Sequence, residues 1–225
     1  MLSALATAKS SIRVRPTVPV RSGLLPEGPL GLMGAQMRFA RNIEIYGEDE
    51  PAEHLYQVIS GAVRTYRTLD DGRRQIGGFY LPGDIFGVEA GDVHLSSAEA
   101  ISDAQVLVIK RSAVMARAAH DGDLAKQLWT LTMHELQRVQ EHSLVLIKSA
   151  EERVAGFLIE MARRTPGTAA VELLMSRQDI ADYLGLTIET VSRTFTQLAQ
   201  SGTIVLESSR RIVFRNRAAL NRLNG

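Results

Sequence analysis

The 225-residue sequence predicts an α+β fold: a β-sandwich or jelly roll, then a long helix, then a small winged helix-turn-helix domain. Three observations carry this expectation. Short runs of β-branched and aromatic residues, broken by glycine turns, fill residues 35–110. From 111 to 164 the chain has no proline and almost no glycine, and leucines recur at spacings of three and four. Near the end, GLTIETVSRTFTQL at 185–198 sets a glycine ahead of a short amphipathic pattern.

The β block is expected over residues 31–122. LYQVISGAVRTYRTL and QIGGFYL read as strands, with turn signals at Asp71-Gly72, Pro82-Gly83 and Gly91-Asp92. AQVLVIK at 104–110 is a further strand, and no phosphate loop or dinucleotide fingerprint interrupts the series. The helix expected over 123–149 carries Leu124, Leu128, Leu131, Leu136, Val139 and Leu146 on its apolar spacing. At about 26 residues it would be roughly 39 Å long, longer than most globular helices. A helix of that length has two sides to cover, so these six residues are read as a dimerisation face pairing with a second copy. A helix buried within one chain is the competing reading, kept open by the missing strict heptad.

Residues 150–225 make the last domain. Thr165-Pro166-Gly167-Thr168 breaks the preceding helix. In SRQDIADYL, Ser176 caps the helix and Asp179 follows three residues on, a capping-box pattern. Gly185 permits a left-handed turn, and Thr187 caps the next helix. On that helix Ile188, Val191, Phe195 and Leu198 form one side; Glu189, Arg193, Thr196 and Gln200 lie roughly opposite. TIVLES and RRIVFRN then flank a turn, as a hairpin wing would.

Composition narrows the function. The chain is 45% hydrophobic and 23% charged, with a formal net charge of only +1, so attraction to a polyanion has to be local. From residue 176 onward there are seven arginines against four acids, a mildly basic tail. Cysteine is absent, which excludes disulfides, cysteine-ligated zinc or iron–sulfur sites and thiol switches. No run of 18 apolar residues occurs, so no membrane span is expected. Residues 1–30 hold Lys9, Arg13, Arg15 and Arg21 with no acid before Glu27. That is the composition of a transit peptide or of a disordered basic arm; a disordered or partly ordered arm is expected here. There is no His-x-His, Walker or Ser-His-Asp pattern, so no catalytic residue, metal ligand or cofactor is assigned.

The outward row suits double-stranded DNA. Arginine pairs with guanine O6 and N7 and glutamate accepts from cytosine N4, each worth ~1–3 kcal/mol of discrimination. Glu189, Ser192 and Arg193 are therefore the expected base readers. Ser176, Arg177, Thr187, Thr190 and Thr196 are expected on the backbone or in support. A Glu-to-Arg spacing of four is also a common surface ion pair; its place on the second helix of a helix-turn-helix decides for DNA.

With these residues in place, the chain resembles the CRP/FNR superfamily of bacterial transcription regulators over about residues 30–225. Glu189, Ser192 and Arg193 match the E-x-x-S-R signature of its FNR and FixK branches, and LPGDIFG at 81–87 matches its glycine-aspartate turn. The resemblance implies a cyclic-nucleotide-binding-type jelly roll, a homodimer, contact with RNA polymerase and a cytoplasmic location. It also implies a palindrome related to TTGAT, four spacer pairs, then ATCAA. Glu89 matches the family's ribose glutamate, but Ser96-Ser97 stands where nucleotide-binding members have Arg-Ser. Without that guanidinium a cyclic phosphate lacks its charge-assisted partner, so tight cyclic-nucleotide binding is not expected. His54, His94, His120, His134 and His142 form no convincing haem pair. The FixK-like branch remains, implying roles in low-oxygen respiration, denitrification or nitrogen fixation. A regulator controlled by an unidentified small ligand in the β domain is the alternative.

Overall fold

The computed structural model describes residues 33–164 and 170–224. The basic arm and the Thr165–Thr168 connection lie outside the described residues.

Eight strands open the chain: β1 Gly34–Phe39, β2 Glu44–Tyr46, β3 His54–Ser60, β4 Val63–Thr68, β5 Arg74–Tyr80, β6 Ile85–Phe86, β7 Ser97–Ala100 and β8 Ala104–Lys110. They form two antiparallel four-stranded sheets, ordered β1-β8-β3-β6 and β2-β7-β4-β5. Side chains alternate between faces along a strand, so each sheet sends one row inward. Phe39, Tyr56, Val58, Phe86 and Val106 from the first sheet meet Tyr46, Val63, Tyr80, Ala98 and Ala100 from the second. These residues fill the sandwich, as the alternating pattern requires.

Helix α1 spans Arg111–Ala118 and α2 spans Gly122–Val145, 24 residues with Asp121 accepting from Leu124 N as the cap. Helix α2 ends four residues before the expected boundary. The cause is a second start signal, because Ser149 and Glu152 cap each other's backbone at 3.3 and 2.7 Å, opening α3 at Ala150–Arg164.

Then come β9 Ala170–Glu172, α4 Arg177–Leu184, α5 Ile188–Gln200, β10 Ile204–Leu206, β11 Arg211–Phe214 and α6 Arg217–Asn224. The hairpin wing is a three-stranded sheet ordered β10-β11-β9, so β9 is an addition to the two strands expected. Its three residues carry too short a pattern to be read from sequence.

The two ends of the molecule share a core. Ile76 and Phe79 on β5 pack with Phe157 and Leu158 of α3 and with Ile180 and Tyr183 of α4 in one continuous buried cluster. Phe79 lies 5.1 Å from the Tyr183 ring and 6.3 Å from that of Phe157, centroid to centroid. Among the described residues no helix is long and apolar enough to cross a membrane.

Candidate nucleic-acid interface

Helices α4 and α5 are joined by Gly185, whose φ of +62° lies in the left-handed region that only glycine adopts freely. Thr187 caps α5, accepting from Thr190 N at 3.2 Å. One side of α5 is buried through Val191, Thr194, Phe195 and Leu198. Ile188 departs from the expectation: it is 36% exposed, because the first turn of α5 overhangs the core beside the β4–β5 hairpin.

The opposite side of α5 is open. Glu189, Ser192, Arg193 and Thr196 are all exposed, and among the described residues neither Glu189 nor Arg193 joins an ion pair. The Glu189 carboxyl is held below its ordinary range by its own backbone N–H, then Thr187, with Arg193 a smaller contributor. A carboxylate and a guanidinium one helical turn apart, exposed and in no salt bridge near a helix N-terminus, match what base edges in a major groove offer.

The supporting residues divide. Ser176 is spent inside the chain, its Oγ accepting from Asp179 N at 3.0 Å in the expected capping box. Thr196 Oγ1 donates to Ser192 O, and Thr190 is half-buried against Thr187. Arg177 is different. Its guanidinium lies 3.4 Å from the centre of the Phe195 ring, one of its nitrogens, Nη1, is buried with no partner, and burial pushes its pKa down to about 10. The guanidinium is thus stacked beside α5 and incompletely paired within the chain.

Position of the interface also depends on contacts between distant parts of the chain. Asp179 accepts from Ser176 and also from Arg64 Nη1 of β4 at 2.5 Å and Arg74 Nη2 of β5 at 2.7 Å. Arg74 also reaches Asp182, and Arg64 reaches Glu99. The sandwich thus grips α4 directly. Asp179 was legible as a cap; its second role spans 115 residues and leaves no local signal.

The expected dimerisation residues also divide. Leu124 is fully buried within its own chain, Leu128 packs on the Leu55, Leu107 and Ile109 cluster, and Leu131 lines a cleft against Phe79 and Tyr80. Leu146 faces the helix-turn-helix, about 3.5 Å from where a Cβ on Gly185 would sit. These four make contacts within their own chain, three of them from the side of α2 turned toward the sandwich and Leu146 from the residue that ends the helix. Leu136 and Val139 remain open at 48 and 52%, Trp129 and Leu144 of the same helix are exposed at 66 and 60%, and Ile147 just past its end at 82%.

Comparison with known proteins accords with this geometry. Residues 36–121 match the cyclic nucleotide-binding domain and residues 152–223 the Crp-like helix-turn-helix domain. The chain is 53% identical to the nitrogen fixation regulation protein FixK of Azorhizobium caulinodans over 205 residues, covering 88% of this chain and 83% of that one. This chain belongs to the CRP/FNR family of transcription regulators.

Within the CRP/FNR family it is of the FixK type. FixK of Rhizobium meliloti is 41% identical over 87% of this chain and 91% of its own length. The solved structure of FixK2 from Bradyrhizobium japonicum superposes with a TM-score of 0.83 at 49% identity, covering 86% of this chain and 98% of that one. A CRP-family transcriptional regulator of Thermus thermophilus matches with a TM-score of 0.69 at 30% identity, over 84 and 96% of the two chains. The jelly roll and the helix-turn-helix expected from sequence are thus both present in this CRP/FNR member.

Proposed function

We propose that this chain is a homodimeric, cytoplasmic transcription activator that binds a palindrome related to TTGAT, four spacer pairs, then ATCAA, and recruits RNA polymerase there. The observation that carries the reading is the exposed row Glu189, Ser192 and Arg193 on the open side of α5. Arg193 takes a guanine through its paired donors, Glu189 accepts from a cytosine on the other strand, and Arg177 fixes the register on a phosphate. The free side of α2, with Trp129, Leu136, Val139 and Leu144, is the dimerisation face that supplies the second recognition helix, one DNA turn of about 34 Å away. The names of its FixK relatives supply the physiology, regulation of nitrogen fixation, and the family likeness adds low-oxygen respiration or denitrification. Ser96-Ser97 at the expected phosphate position supports action without a cyclic nucleotide.

Selection of bound duplexes from a random pool tests this. The expected result is enrichment of the palindrome, unchanged by cyclic nucleotides, with affinity falling steeply as salt rises. Binding without sequence preference, or only when a nucleotide is present, would overturn it.

A further inference from the structure

The cavity that contains Glu89 and Ser96 opens toward α2 and has a volume of about 200 Å³. Those two residues occupy the places that the family likeness assigns to a nucleotide, yet the wall of the cavity is a side chain from the long helix. Arg138 Nη2 donates to Tyr80 Oη of β5 at 2.6 Å and to Glu135 Oε1 at 2.5 Å, and its Nε donates to Glu135 Oε2 at 3.1 Å. Tyr80 Oη in turn donates to Glu135 Oε1 at 3.3 Å, closing a three-membered ring of charge-assisted hydrogen bonds. The guanidinium carbon lies 4.6 Å from the Tyr80 ring centre. The strand has a hole cut for it: a Cβ on Gly78 would collide with the Arg138 guanidinium, so only glycine admits it.

Arg138 sits between the working parts of the protein. The next residue, Val139, is on the free stripe of α2, and one turn further on His142 stacks on Tyr183 of α4 with ring centroids 4.2 Å apart. Whatever sets α2 on the sandwich at Arg138 therefore sets both the partner-facing stripe and the helix-turn-helix.

We propose that Arg138 is a built-in substitute for a ligand: its guanidinium, seated over Gly78 between Tyr80 and Glu135, holds α2 on the sandwich in the arrangement that operator binding requires. It is a positioning residue and touches no DNA. The proposal deepens the ligand-independent reading above and rests on it for one of its two measurements.

The test is chemical rescue of the full-length Arg138→Ala protein. Hydrogen exchange across α2 and operator affinity are both measured with and without millimolar ethylguanidinium, with ethylammonium and matched sodium chloride as controls. We expect α2 exchange to quicken in Arg138→Ala and operator affinity to fall roughly tenfold or more, since the buried Tyr80 and the half-buried Glu135 lose their cation. Ethylguanidinium should reverse both effects and the controls neither, a readout that general destabilisation would not give. Gly78→Ala should reproduce the loss without rescue, because the Cβ fills the seat, and it keeps the test decisive if Arg138→Ala folds poorly. Operator affinity and α2 exchange equal to the unaltered protein in both variants, or loss that ethylammonium repairs as well as ethylguanidinium, would overturn the proposal. An unaltered protein that binds no duplex would sink the DNA reading instead, while the exchange measurement would still decide the role of Arg138.

Discussion

Arg64 Nη1 on β4 donates to Asp179 Oδ1 in the first turn of α4 over 2.5 Å, across 115 residues of sequence. Both side chains are at most 10% exposed. Arg74 adds a second cation to the same carboxylate, and Tyr66 lies under both guanidinium groups at 5.8 Å. Through this cluster the sandwich orients α4, and through the Gly185 turn it orients the recognition helix. A buried pair of this kind adds little net stability over an apolar replacement, but losing one partner strands the others.

Asp179→Ala should therefore cost about 3 kcal/mol in urea unfolding, the low end for a broken buried pair, since Arg64 and Arg74 lose their shared anion but keep Glu99 and Asp182. Ser176→Ala removes only the cap of the same helix and should cost about 1 kcal/mol. Equal costs for the two would show that the link between sheet and helix carries no energy.

Arg193→Ala should weaken operator binding by ~1–3 kcal/mol and relax preference at one symmetric base pair. Its open position on α5 predicts unchanged thermal stability and an unchanged sedimentation coefficient. Retained affinity for the parent operator would remove Arg193 from the base contacts.

Arg177→Ala should act on all sequences alike. Losing one phosphate contact is expected to reduce the slope of log affinity against log salt by about 1. A binding isotherm series over salt reads this directly, and an unchanged slope would confine Arg177 to stacking on Phe195.

The two stripes of α2 should respond differently. Leu136→Arg on the open stripe should shift the dimer toward monomer with little loss of monomer stability, measured by sedimentation equilibrium. Leu124→Ala, at a fully buried site, should cost about 2–5 kcal/mol of folding stability through the cavity it leaves. A Leu136→Arg protein that remains dimeric would place the second copy elsewhere.

His142 gives a pH dependence with a definite sign. Burial, then the charge of Arg138, holds its pKa below the ordinary 6.5, and its Nδ1 is buried without a partner against Tyr183. The folded state takes up the proton less readily than the unfolded chain. Its stabilising share is thus complete above about pH 6.5 and is lost as pH falls through the lower folded value. Glu160 of α3 lines the same cleft, and His94 in the sandwich titrates in the same direction. His142→Phe keeps the stack and removes the proton site, so stability between about pH 7 and about pH 5 should fall less steeply than in the parent. Identical slopes would assign the acid limb to His94 and the carboxylates.

Much of the site was readable because its causes are short-range. The capping pair Ser176–Asp179, the left-handed Gly185 and the buried side of α5 at Val191, Phe195 and Leu198 follow from spacings of three and four and from one residue's backbone freedom. The open row of Glu189, Ser192 and Arg193 follows from the same angles. What the chain's order of residues determined alone was thus the two helices of the helix-turn-helix, their caps and which side of each is polar.

Tertiary structure decided what each apolar or charged side meets. Helix α2 carries leucines on two stripes, and Leu124 and Leu136 are chemically equivalent; only the placement of the sandwich and α4 buries one and leaves the other free. Asp179 looks the same from sequence whether it caps a helix or also anchors two arginines, and Arg138 whether it is solvated or seated over Gly78. The physical reason is one of range: hydrogen-bonded turns and helical angles are set within a few residues, whereas burial and ion pairing depend on surfaces brought together from opposite ends of the chain.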